Sequence, residues 1–142
     1  MVIEIRVGEG RDEPRCLELI ETLTGETRGA GWSTTFQALL DRTRGEVLVA
    51  DENGSLLGVA TVSYNLAIRY AGEYAQLEEL IVDPEARGRN VGGLLVETAV
   101  ERARTRGCAE FGLYLLEATE HNRRFYEKYG FEYIGSEMRQ QL

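Results

Sequence analysis

The chain has 142 residues, 43% of them hydrophobic and 28% charged. That balance excludes a disordered chain, a collagen-like repeat and a bundle of membrane spans, and the length suits a single domain, 1–142, around one core. A net charge of −8, with an isoelectric point near 4.8, sets the surface against nucleic acid and in favour of cationic partners.

Residues 2–7 (V-I-E-I-R-V) alternate apolar and charged side chains, the pattern of a half-buried strand. Gly8 and Gly10 break it. Asp12 can cap a helix with Pro14 in its first turn, and Cys16, Leu17, Ile20 and Leu23 then recur at helical spacing. Gly25, Gly29 and Gly31 mark a loop. Thr34 and Gln37 resemble a capping box before a short helix that carries Phe36, Leu39 and Leu40. Residues 46–51 read as a strand, Asn53-Gly54 as a turn that tolerates positive φ, and residues 56–64 as the returning strand of an antiparallel hairpin. After a polar connection over 65–72, a strand runs from 74 to 82 and ends at Asp83-Pro84.

A charged, glycine-bearing loop fills 85–93. The helix behind it places Leu94, Leu95, Ala99 and Ala103 on one face and stops at Gly107. Arg102, Arg104 and Arg106 suit that helix's negative end and read as structural. Residues 111–116 are nearly all apolar, as in a strand buried on both faces. Thr119 can cap a last helix bearing Phe125 and Tyr129 and stopped by Gly130, and 131–134 and 137–141 read as final strands. The order β-α-α-β-β-β-α-β-α-β predicts a mixed α/β sandwich without repeats or linkers.

Cys16 and Cys108 form no CxxC pair and read as reduced, semi-buried thiols of a cytoplasmic protein. The one histidine, His121, has neither zinc-ligand spacing nor a GxSxG nucleophile to serve. No basic-apolar-small leader begins the chain, and no apolar run is long enough for a membrane span.

The informative segment is 77–93, L-E-E-L-I-V-D-P-E-A-R-G-R-N-V-G-G. A strand ends, a proline stops it, and a loop rich in arginine and glycine opens a helix. Free N–H groups at a helix start, aided by the helix dipole, bind anions, and glycine lets them approach closely. The glycines space neither as a P-loop nor as a dinucleotide fingerprint. By spacing alone, a tight surface turn with ordinary charges is the other reading.

Arg87, Gly88, Arg89, Asn90, Val91, Gly92 and Gly93 resemble the R/Q-x-x-G-x-G/A motif of the GNAT superfamily of N-acetyltransferases, and V-D-P-E at 82–85 matches what usually precedes it. Residues 121–131 (H-N-R-R-F-Y-E-K-Y-G-F) resemble that family's F-Y-x-x-x-G-F helix end. The two matches stand in order, with a helix and a strand between them, so the resemblance covers essentially the whole chain. It implies an α/β (mixed α+β) fold with a mostly antiparallel sheet, one splayed parallel strand pair and flanking helices. It implies acetyl-CoA as co-substrate in the splay. The backbone of Leu80, Ile81 and Val82 would run along the pantetheine arm, the Arg87–Gly93 loop would hold the pyrophosphate, and Thr119 and Asn122 would lie near the arm. Asn90 stands where the family usually has glycine; asparagine tolerates left-handed φ best after glycine, so the loop is expected to keep its shape.

By the same resemblance Tyr126 is the acid for the departing thiolate, with core packing as its other reading. Glu78, or alternatively Glu79, is the base; side chains alternate along a strand, so one of the two is expected to face the substrate. Solvated and salt-bridged carboxylates are the other reading, since some members use no strict base. His121 reads as a surface residue, with a base or cofactor contact as the alternative. Cys108 lies past a helix end and is no acyl carrier. The implied reaction is acetyl transfer to a primary amine, either a small cationic amine or a lysine or N-terminal amine. The amine attacks directly in a ternary complex, without a metal. The rival reading is a non-catalytic acyl-CoA-binding sensor or structural subunit on the same fold. Segments 23–40 and 64–74 are the expected acceptor wall, with Glu26 and Glu73 beside Arg28 and Arg69. A homodimer is compatible with the family; no segment demands one.

Overall fold

The computed structural model describes residues 2–142. Five strands lie in sequence order: β1 (Glu4–Val7), β2 (Gly45–Glu52), β3 (Ser55–Ala67), β4 (Gly72–Val82) and β5 (Phe111–Gly112). The first four pair antiparallel, and β5 joins β4 in parallel. The β2–β3 hairpin closes at Asn53 and Gly54, with φ of 52° and 90°, the consecutive left-handed residues that such a tight turn needs.

Helices cover both faces. On one, Val91, Leu95, Ala99 and Ala103 of α3 (Val91–Arg106) pack against Leu48, Ala50, Ala60, Val62 and Leu77. On the other, α1 (Glu13–Thr24) and α2 (Ala30–Leu39) bring Cys16, Leu17, Leu19 and Phe36 onto Val47, Val49 and Val59. Each Val or Leu side chain among these contributes roughly 1.5–3 kcal/mol by leaving water. Gly58 lets α3 approach: a Cβ there would stand 3.0 Å from the Ile81 carbonyl oxygen and 3.1 Å from Val91 Cγ1. At the far end of α3, Arg102 bonds buried Glu46 at 2.6 Å. Arg106 lies 3.8 Å over the Tyr64 ring and also bonds Glu73 and the Arg42 and Thr43 carbonyls. These arginines are structural, as expected.

Four local expectations change. First, α2 starts at Ala30 with Gly29 as its cap, so Thr34 sits inside the helix and the Thr34–Gln37 capping box does not form. Gln37 and Ser33 instead bond Glu13 of α1, at 2.6 and 2.8 Å. Second, the Asp12 carboxylate makes no cap bond to α1; it accepts two bonds from Arg6 and one from the Glu9 N–H. Third, β5 stops at Gly112, and Tyr114 and Leu116 are exposed rather than buried on both faces. Fourth, 131–142 contributes no strand among the described residues. So short a β5 offers no edge to extend, and the segment is held by side chains: Phe131 packs on Phe111 and Tyr126, and Arg123 lies over Tyr133.

Candidate active site

The β4–β5 ladder consists of Ala75 opposite Phe111 and Gln76 opposite Gly112. Beyond it, Leu80, Ile81 and Val82 keep their β3 partners Ala60, Val59 and Gly58. No described strand pairs their other edge, so its backbone polar groups are open to an added chain. The splay expected of the parallel pair is therefore present beside Leu80–Val82.

The open edge leads into the glycine-bearing loop. Asp83 Oδ1 accepts from the Glu85 N–H at 2.9 Å and shapes the turn Pro84–Ala86. Gly88 and Asn90 both take left-handed φ, 84° and 61°, so the loop keeps its shape with asparagine. Val91, Gly92 and Gly93 form the first turn of α3, where N–H groups have no intrahelical acceptor and the dipole is positive. Arg87 is exposed and makes no ion pair with a described residue, whereas Arg89 turns away to Glu52 on the hairpin, with one bond of 3.1 Å. Open N–H groups, glycines and an uncommitted guanidinium fit a diphosphate.

α4 (Arg123–Lys128) lies against this turn. A Cβ on Gly92 would stand 3.4 Å from Phe125 Cζ, and one on Gly93 would overlap the Tyr129 hydroxyl and Asn90 Oδ1, which hydrogen-bond at 3.0 Å. A separate cavity of about 600 Å³ borders the loop's other side, lined in part by Arg6, Arg15, Asp83 and Arg89. Its cations are committed, Arg6 to Asp12 and Asp51, Arg15 to Asp83 and Arg89 to Glu52. It is an ion-paired seam rather than a reaction site.

The two carboxylates are placed by an irregularity in β4. Thr61 pairs with Glu79 but Val62 pairs with Leu77, so Glu78 is an extra residue, a β-bulge. The Ser63 hydroxyl donates to Glu78 at 2.7 Å, and the Thr61 hydroxyl donates to Glu79. Thr61 and Ser63 are two apart on β3 and share one face. Both glutamates therefore lie on the α1/α2 face, which corrects the expectation that alternation admits one; the bulge breaks the alternation. Burial, and then the neighbouring Glu78 charge, push the Glu79 pKa up against the Thr61 bond. Glu78 is exposed.

Tyr126 approaches from the opposite face, packed against the α3-side core. Its ring meets Phe125 edge-on at 5.1 Å and Phe131 at 5.9 Å, and its hydroxyl bonds no described residue. Burial raises its pKa, so it keeps its proton. Tyr126 thus lies on the α3 side of the sheet and the two carboxylates on the α1/α2 side. Thr119 differs: its hydroxyl accepts from the Leu116 N–H at 3.0 Å and donates to the Leu116 carbonyl, which locks the turn Glu117–Asn122. Asn122 is half-buried just before α4, and His121 is exposed.

Glu73, expected in the acceptor wall, lies on the α3 face paired with Arg106 at 2.8 Å, because Ala75, two residues on, belongs to that core. Arg28 is committed to Glu21, and Arg69 stacks over Tyr70 and Tyr74. Cys16 is fully buried, which pushes its thiol up to about 12, and burial also raises Cys108. Among the described residues no group of three His, Cys, Asp or Glu side chains could hold a metal, and no helix is long and apolar enough to cross a membrane. Sequence reasoning missed Gln76, Thr61, Ser63 and Asn65. Polar residues two apart on an otherwise apolar strand were the available signal.

An open-edged strand, a helix start with free N–H groups and an aromatic last helix thus adjoin one another. The chain belongs to the acetyltransferase (GNAT) family, whose model it matches over residues 14–131. It is an acetyl-CoA-dependent acetyltransferase of that family. It is 29% identical over 144 residues to the glucosamine 6-phosphate N-acetyltransferase of Trypanosoma brucei brucei, covering 99% of this chain and 96% of that one. A crystal structure of a Trypanosoma brucei acetyltransferase superposes with a TM-score of 0.84 at 28% identity, over 99% of this chain and 100% of the other. An aminoglycoside N-acetyltransferase solved with CoA shares the fold, with a TM-score of 0.87 at 17% identity over 99% and 95% of the two chains.

Proposed function

We propose that the chain, acting as one domain over 1–142, moves the acetyl group of acetyl-CoA to the primary amine of a small cationic acceptor by direct attack. The observation that carries this reading is the bulge that sets Glu78 and Glu79 side by side beside the open edge of β4. Two carboxylates there attract an ammonium group, and a net charge of −8 steers cations toward the protein. Kinship with a glucosamine 6-phosphate N-acetyltransferase adds amino sugars to the acceptors worth first trial.

Acetyl-CoA supplies the acetyl group as a thioester. Arg87 and the N–H groups of residues 88–93 hold its diphosphate, and the edge of Leu80–Val82 aligns the pantetheine amides. Glu79, whose raised pKa moves it toward the working pH, takes the ammonium proton, directly or through water. Glu78 holds the charge of the incoming ammonium. The freed nitrogen forms its bond to the thioester carbon, and the carbon–sulfur bond breaks. Tyr126 gives its proton to the sulfur, and the second N–H proton of the acylated nitrogen passes through water back to the Tyr126 phenolate, leaving CoA as the thiol and the product as the neutral amide. Thr119 is a poor cofactor contact because its hydroxyl is spent on Leu116, whereas Asn122 keeps its side chain for that role.

Release of free thiol from acetyl-CoA, followed with glucosamine, its 6-phosphate, polyamines, aminoglycosides, lysine peptides and amino acids, tests the reading. At least one small cationic amine should be acetylated, and multiply charged acceptors should react faster at low salt, where screening is weak. Turnover with a phenol or hydroxylamine alone would overturn it.

A further inference from the structure

Gln76 sits on β4 at the last rung of the parallel pair, 8% exposed, and its Nε2 has no hydrogen-bond partner. An unpaired buried amide donor is destabilising, so an aliphatic residue would be more stable here. Its neighbours Ala75 and Leu77 face α3, which puts Gln76 on the α1/α2 face with both carboxylates. Across β3 it stands opposite Ser63. The Ser63 hydroxyl opposite it is already engaged: its Oγ accepts from Asn65 Nδ2 at 3.0 Å and donates to Glu78. Across β5 it stands opposite Gly112, where a Cβ would come 3.5 Å from Gln76 Oε1, so bare backbone leaves the amide room to turn about its soft last torsion.

We infer that Gln76 is a specificity residue for the acceptor: its side-chain amide donates a hydrogen bond to an oxygen placed next to the reacting amine, so the site selects amines that carry a neighbouring hydroxyl, as amino sugars do, over plain alkylamines. The inference rests on the acceptor being an amine. Carboxylates at Glu78 and Glu79 can bind any ammonium and cannot tell a hydroxylated carbon from a bare one. Gln76 can, because its donor stays unpaired when that oxygen is missing, and such mismatches discriminate strongly.

Glucosamine and cyclohexylamine form the test pair, a ring amine with hydroxyls and one without. Gln76→Met keeps length and loses the donor; Gln76→Leu is the second variant should the first not fold. KM for glucosamine should rise roughly tenfold, the loss of one hydrogen bond. KM for cyclohexylamine and for acetyl-CoA should stay within about twofold, and the variant should melt at or above the parent because the unpaired donor is gone. Equal losses on both amines, or an unchanged glucosamine KM, would overturn the role. If the parent acetylates no amine, the proposed function fails separately. Calorimetric titration of both amines into parent and variant then decides the Gln76 role by the same difference in Kd.

Discussion

The two faces of β3 and β4 differ although the same residues build both. Toward α3 the strands show Ala60, Val62, Ala75, Leu77, Leu80 and Val82, apolar except at the β4 start, where Glu73 pairs with Arg106. Toward α1 and α2 they begin apolar, at Val59 and Ile81, and become polar at Thr61, Ser63, Gln76, Glu78 and Glu79. One face carries the stability. The other gives up part of its core to hold a charge pair and an unpaired amide. One inserted residue moves Glu78 across that divide, so a single irregularity decides how many carboxylates the reactive face holds.

The sharpest way to break the contrast is Glu79→Gln, which removes the proposed base and should lower turnover by about 10²–10⁴-fold, measured on whichever amine the panel identifies. Stability should move the other way. The native state raises this carboxyl's pKa and so favours its neutral form, a contribution lost as pH climbs from the usual glutamate value, about 4.3, through the raised one. At neutral pH the uncharged amide relieves that cost, and thermal melts should show the variant as stable as the parent or more so. Tyr126→Phe approaches the same gap from the α3 side. Turnover should fall by about 10²-fold while calorimetry shows acetyl-CoA affinity nearly unchanged; a drop under about twofold would make the ring mere packing.

Gly58→Val attacks the structural face alone. Added methyl groups would meet the Ile81 carbonyl and Val91, costing about 1–3 kcal/mol in denaturant unfolding. Glu78→Gln is the finest probe. Its charge raises the Glu79 pKa, so its removal should shift the acid limb of kcat/KM to lower pH, with less than tenfold change at the plateau. A limb that stays put would show that the two carboxylates do not sense each other.

Much of this molecule could be read from its letters because the signals are local. Asn53-Gly54 demands a tight turn, Asp83-Pro84 stops a strand, and Gly107 ends α3 with φ of 95°. The Arg87–Gly93 loop was legible for the same reason, down to the left-handed Asn90. What stayed hidden depends on partners distant in sequence. Glu78 bulges because of how β3 and β4 register, and no glycine or proline marks it. Glu73 is lost to the site because Arg106 claims it. Residues 131–134 alternate well enough for a strand, yet pairing needs a neighbour, and β5 ends too soon to be one. Gln76 looks unremarkable until the residues around it are seen to have spent their hydrogen bonds elsewhere.

The shortness of β5 also bears on how the chain reaches its fold and how it opens again. The β2–β3 hairpin closes over two residues, Asn53 and Gly54, an inexpensive loop that can form early. The parallel pair must wait for the whole of α3 to cross over and then gains two rungs, with Ala75 N–H to the Glu110 carbonyl and Ala109 N–H to the Glu73 carbonyl at 2.9 Å each. The rung that seats Gln76 is thus among the last closed and the least anchored. In native-state hydrogen exchange, the amides of Ala75 and Ala109 should open with a smaller free energy than those of Val49 and Val59. The weakest seam of this sheet then borders the Leu80–Val82 edge, which already stands open, while the hairpin beside it stays shut.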